Sequence, residues 1–162
     1  MRDYLNRFLG LVDSEGAFLN PFHPGNVRRA AQEGARDVGD IHAVPFILEC
    51  KDVRNPAVPT WLRQAEIEAE NAGFPYGVVV HKMRGAGVRY GRVHVAVETC
   101  SRIRRVLDMP APEFYGAYGF TLNARGLDTS RWYFSATVWD LAHLIDDYRG
   151  TVGAWVSARA AR

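Results

Sequence analysis

Phe46 to Asp52 reads FILECKD, an apolar run that ends in a carboxylate, Glu49, and an ammonium, Lys51. Side chains alternate across a β-strand, so Glu49 and Lys51 share one face with Ile47, while Phe46, Leu48 and Cys50 share the other. Both polar groups stand at the strand's C-terminal end, the edge where open α/β sheets usually take ligands. Upstream, VGDIHAVP sets Asp40 in a glycine-flanked turn. If that turn returns beside the strand, two carboxylates and one ammonium converge. Oxygen ligands suit a hard cation such as Mg²⁺, which keeps several waters and accepts a phosphate oxygen. Such an ion polarises a phosphodiester and acidifies a bound water. A lysine can orient or deprotonate that water, or offset the developing negative charge. The chemistry on offer is phosphodiester hydrolysis. The plainer alternative is a surface ion pair at a strand end.

The elements that must position these groups can be read from periodicity. Tyr4, Leu5, Phe8, Leu9 and Val12 have helical spacing. SEGAFLNPFHPGN reads as a loop, VRRAA as a short strand, and QEGARDVGD as a second loop. The strand over Pro45–Lys51 is followed by a helix, TWLRQAEIEAENAG, with Trp61, Leu62, Ala65, Ala69 and Ala72 on its apolar side and Gly73 at its end. YGVVVHK is a continuous apolar run, as in a strand covered on both faces. RVHVAVE alternates Val93, Val95 and Val97 as another strand. Residues 99–130 are full of Gly, Pro and aromatics and read as an insertion or long excursion within a single domain spanning 1–162. RWYFSATV gives a late strand and VWDLAHLIDDY a final helix. The predicted class is α/β, a mixed central sheet flanked by helices, with a right-handed parallel crossover over residues 45–82.

The chain has 162 residues, enough to bury about two thirds of the unfolded surface in one core. No apolar stretch of about 18 residues occurs, so no membrane span is expected. The N-terminal apolar patch is broken by Asp3, Arg7 and Asp13 and does not read as a signal peptide. Two cysteines, Cys50 and Cys100, do not make a disulfide framework. The expected compartment is the cytoplasm, or a host's cytoplasm. Net charge is only +2, from 20 basic and 18 acidic residues, which announces no nucleic-acid binder. The basic residues are nevertheless clustered: Arg28, Arg29 and Arg36; His81, Lys82, Arg84, Arg89 and Arg92; Arg102, Arg104 and Arg105. Folding can gather such clusters into one surface.

Asp40, eight intervening residues, and Glu49-Cys50-Lys51 together resemble the D-x(n)-E-x-K core of the PD-(D/E)XK nucleases. More narrowly, GDIHAVPFILECKDVRNPAVPTWLRQAEIEAENAGFPYGVVVHKMRGAGV resembles the Holliday junction resolvase-like endonucleases of actinobacterial phages, over about residues 26–98. The resemblance implies a restriction-endonuclease-like fold and a metal-dependent endonuclease that cuts branched DNA as a homodimer. It implies Asp40 and Glu49 as ligands of Mg²⁺, with Mn²⁺ as a substitute, and Lys51 as the catalytic lysine. Gln64, in WLRQAE, matches a polar position that supports the site, and Lys82 matches a basic residue near it. Two departures stand out. Gly39 occupies the place of the family's proline. The first helix, RDYLNRFLGL, lacks the glutamate that family members carry there, leaving Asp3, Glu15 or Glu33 to substitute, an upstream start, or a weakened site.

Arg28, Arg29, Lys82 and Arg84 are the candidate DNA contacts; phosphate contacts of this kind fix position rather than sequence. Cys50 reads as core packing rather than a nucleophile. His81 reads as a satisfied structural histidine, and no histidine has zinc-site spacing with a cysteine. GAGVRYG follows no nucleotide-binding pattern and reads as a turn. Trp132, Tyr133 and Phe134 read as core or interface residues. Two alternatives stand beside the resolvase reading: another nuclease of the same superfamily, of repair or restriction type, and a DNA-binding module with a degraded centre.

Overall fold

A computed structural model describes residues 1–31 and 37–153. The chain runs α1 (Arg2–Phe8), β1 (Arg28–Arg29), β2 (Ile41–Ala43), β3 (Phe46–Lys51), α2 (Val58–Ala72), β4 (Tyr76–His81), β5 (Arg92–Ala96), α3 (Val97–Val106), α4 (Ala111–Ala117), β6 (Thr121–Asn123), β7 (Tyr133–Thr137) and α5 (Val138–Thr151). The strands form a mixed sheet in the order β1-β2-β3-β4-β5-β7-β6. β3 and β4 pair in parallel, as the crossover through α2 requires, and the other pairings are antiparallel. No described helix is long and apolar enough to cross a membrane.

The sheet is covered unequally. Phe46, Leu48, Val78, Val80, Val93 and Val95 face a large core with residues of α1, α3, α4 and α5. The other face is covered mainly by α2, through Val58, Leu62 and Ala65 on Val79. That division explains why FILECK and YGVVVH are near-continuous apolar runs: both faces of β3 and β4 are buried. Each fully buried Phe or Leu stabilises by about 1.5–3 kcal/mol. The α2 backbone lies so close to β4 that a Cβ on Gly77 would stand 2.1 Å from the Ala65 carbonyl oxygen. Glycine at this position sets the depth at which α2 sits. Gly73 ends α2 in the left-handed conformation, with its N–H donating to the Glu70 carbonyl.

Three expectations change. The strand expected over Pro45–Lys51 is present as Phe46–Lys51, and a strand not expected, Ile41–Ala43, precedes it as its antiparallel partner, with a turn at Val44-Pro45 between them. Val97 does not extend β5. It opens α3, because Val97, Cys100 and Ile103 recur at a helical interval and the last two are fully buried. Residues 99–130 are not a featureless excursion; they hold most of α3, then α4 and β6. Cys100, Ile103, Phe114, Tyr118 and Phe120 all belong to the main core. Their helical pattern is short and its aromatics pack on one another, Phe114 on Phe120 and Tyr115 on Phe134, which periodicity does not report.

Candidate active site

The expected strand geometry is present. Glu49 and Lys51 lie on the α2 side of β3 and form an ion pair, with the Lys51 ammonium donating to Glu49 Oε1. Glu49 is 7 % exposed, an unusual depth for a carboxylate. Glu49 stands beside Val79 and Lys51 beside His81 on β4, and the next strand sets His94 beside Val79 and Arg92 beside His81.

Asp40 reaches this end of β3 from the preceding loop. The β2–β3 register pairs Ile41 with Leu48; continued by one residue, it sets Asp40 opposite Glu49. Its Oδ2 accepts from the Cys50 backbone N–H at 2.8 Å, between Glu49 and Lys51 in sequence. Gly39 makes this approach possible. It has φ +78°, and a Cβ there would stand 2.3 Å from Ile47 Cγ2 and 3.3 Å from Glu68 Oε2. A proline, with φ fixed near −65°, could not adopt this backbone.

The same close packing exposes a group that sequence reasoning missed. Glu68, one helical turn after Gln64 on α2, is 1 % exposed. Gln64 Nε2 donates to Glu68 Oε1 at 2.7 Å, and Oε2 is buried with no hydrogen-bond partner among the described residues. Burial, reinforced by the negative charge of Glu49 and further by Asp37, pushes the Glu68 carboxyl up to about 7, while the Gln64 amide pulls it down. The signal lay in the sequence: Glu68 falls between Ala65 and Ala69 on the apolar stripe of α2, where a solvated glutamate has no place.

The substitutes for a first-helix glutamate fare differently. Asp3 is exposed and paired to Arg2, and it lines a hollow of about 440 Å³ with Arg29, Asp40 and Cys50. Glu15 lies in the turn organised by the Asp13 carboxylate, which takes the Glu15 and Ala17 N–H groups. Glu33 lies outside the described residues.

The four candidate DNA contacts do not form one surface of free cations. Lys82 and Arg84 converge on Asp52, at 2.9 and 3.2 Å. Arg28 donates to the Pro21 carbonyl and lies over the Phe18 ring. Arg29 borders the Asp40 hollow. Cys50 is half-buried and its thiol is pushed up to about 11, chiefly by burial, so it is no nucleophile. His81 Nε2 meets the Val53 carbonyl at 2.9 Å, a structural partner as expected. His94 is buried against Ser135 Oγ, and burial pulls its imidazole down to about 4.

The donor set is all oxygen, as a hard cation requires. Two buried carboxylates, Glu49 and Glu68, repel one another, and Glu68 keeps an oxygen without a partner; a cation would relieve both conditions. Among the described residues, however, no three His, Cys, Asp or Glu side chains stand at mutual ligand spacing. Compared with protein-family models, with curated proteins and with solved structures, the chain matches none.

Proposed function

We propose that the protein is a divalent-metal-dependent DNA endonuclease built on the restriction-endonuclease-like plan, cutting branched DNA such as a four-way junction. The observation that carries this reading is the buried pair Glu49–Glu68, with the Lys51 ammonium on Glu49 and Asp40 tethered to the Cys50 N–H. Asp40 and Glu49 would hold Mg²⁺ or Mn²⁺, with Glu68 as the further carboxylate that the first helix does not supply. When bound, the ion polarises the phosphodiester and acidifies a water. Lys51 would orient an attacking water and offset negative charge on the phosphate. Gln64 fixes Glu68 through its amide. Val79, which pairs with Glu49 across the strands, packs with Leu62 in an apolar cluster beside the centre. A homodimer would set two such centres across the junction for paired nicks.

The test is cleavage of a labelled four-way junction beside matched linear duplex, with Mg²⁺, Mn²⁺ or EDTA, by wild type, Asp40→Ala and Lys51→Ala. Metal-dependent nicking of the junction alone, lost in both variants, supports the proposal. Equal cutting of linear duplex moves the assignment to a nuclease of repair or restriction type. One observation favours a second reading, a DNA-binding module with a degraded centre: the missing third ligand among the described residues. It expects junction binding with no cleavage under any divalent ion.

A further inference from the structure

The candidate contacts chosen by sequence are mostly committed elsewhere, but a different set of cations is not. Arg63 on α2, and Arg125 and Arg131 in the β6–β7 connection, are exposed. Among the described residues none of the three side chains makes an ion pair or a hydrogen bond. They line two adjoining hollows of about 450 and 400 Å³, which share Pro56, Pro59 and Arg131. The neutral lining includes four hydrogen-bonding side chains, Thr60, Ser130, Asn123 and Tyr133, beside the two prolines and small or apolar residues such as Val58.

One acid is present, Asp128, and it is already engaged. Its Oδ1 takes the Ser130 N–H at 3.1 Å and the Ser130 hydroxyl at 2.6 Å. These bonds, with the nearby Arg131 and Arg63 charges, hold its carboxyl below the usual range. The groove therefore keeps a net positive charge from three guanidinium groups. The first turn of α2 adds to it: the helix starts at Val58 with no side-chain cap and no acidic residue. Leu127, fully exposed at the loop tip between Arg125 and Arg131, fits a sugar or base rather than a phosphate.

We infer that the groove between the first turns of α2 and the β6–β7 connection is a DNA backbone-binding surface, with Arg63, Arg125 and Arg131 each meeting phosphate. The inference rests on the nuclease reading for its ligand, but not for its geometry. Guanidinium groups with free forks match phosphate oxygens in a way that the Asp52-paired Lys82 and Arg84 do not. Arg63 adjoins Gln64 on the same helix, so a strand lying in the groove runs along α2 toward the carboxylate pair.

The experiment is fluorescence anisotropy of a labelled four-way junction and a labelled duplex in EDTA, titrated at several salt concentrations. Wild type, the triple variant Arg63→Ala/Arg125→Ala/Arg131→Ala and Arg105→Ala are compared, with circular dichroism to verify folding. Arg105 is exposed on α3, away from the groove, and controls for net charge. Each lost phosphate contact lowers the slope of log K against log salt by about 0.9, so the triple variant should lose about 2 to 3. Arg105→Ala should leave the slope unchanged. Triple-variant binding equal to wild type would overturn the inference. So would a slope loss per charge in Arg105→Ala equal to that in the triple variant, or no binding by wild type. Groove-dependent binding without cleavage by the wild type would sink the nuclease reading alone; cleavage with groove-independent binding would sink the groove alone.

Discussion

Two flanks of one helix carry opposite unsatisfied charge. On one flank of α2, Gln64 and Glu68 turn toward β3 and bury a second carboxylate against Glu49. On the other, Arg63 looks into a groove of guanidinium groups that have no ion-pair or hydrogen-bond partner among the described residues. Inside, Glu49 has the Lys51 ammonium but Glu68 has only the Gln64 amide, and desolvation makes that second carboxylate expensive. The bases are unsatisfied outside, where water screens them and the cost is small. A fold selected only for stability would replace Glu68 with an apolar residue; a buried second carboxylate and an outward guanidinium on one helix are what the proposed centre for a cation and an anionic polymer would use.

The largest effect that would break this comparison is on chemistry. Glu49→Gln should lower junction cleavage by about 10³-fold or more, and Lys51→Ala by about 10²- to 10³-fold, with junction binding in EDTA retained. Single-turnover assays beside anisotropy measure both. If either variant lost binding in proportion to cleavage, the two flanks would not be separate functions.

Next comes the helix that joins them. Gly77→Ala drives a methyl into the Ala65 carbonyl and should destabilise the protein by about 3 kcal/mol, read as a lowered urea midpoint. Because α2 carries both flanks, cleavage and groove-dependent binding should fall together in this variant.

The acidic flank can be sharpened by pH. The folded-state value of Glu68 lies above its ordinary carboxyl value, so folding holds its proton. The resulting stability is fully present below about pH 4.5 and is lost as pH rises through about 7. In EDTA, Glu68→Gln should remove a pH-dependent loss of the order of 1–3 kcal/mol between pH 5 and 8. Urea unfolding at both pH values measures it. An unchanged pH profile would mean that Glu68 is not held protonated beside Glu49.

The smallest effect is expected where cations are already paired. Lys82→Ala and Arg84→Ala break exposed, solvent-screened contacts to Asp52 and should change junction affinity less than the groove variant does. Anisotropy at one salt concentration suffices to rank them.

Much of the site's frame was legible in the sequence. The apolar run into Glu49 and Lys51 fixes a strand buried on both faces, and alternation then decides which side chains share a face. The glycine before Asp40 marks a tight approach, though the residue it approaches, Ile47, comes only from packing. Glu68 escaped because AEIEAEN reads as a solvated acidic face. Its position on the apolar stripe, between Ala65 and Ala69, was the contrary signal. The basic groove escaped for a different reason. Its arginines are isolated in sequence, and only the return of the β6–β7 connection to the start of α2 gathers them. Conversely, Lys82 and Arg84 look clustered in sequence and are neutralised in space by Asp52, which adjoins Lys51. The region from 99 to 130 was obscured because short helices with stacked aromatics leave little periodicity, whereas the strand and helix after it were legible.

The central claim is that Glu49 and Glu68 form a cation site. Calorimetric titration of Mn²⁺ into the wild type, Glu49→Gln and Glu68→Gln at pH 8 tests it without reference to activity. The account predicts at least one site per chain in the wild type, abolished by Glu49→Gln and weakened about tenfold or more by Glu68→Gln. Equal affinity in all three proteins, or no binding by the folded wild type, would contradict it.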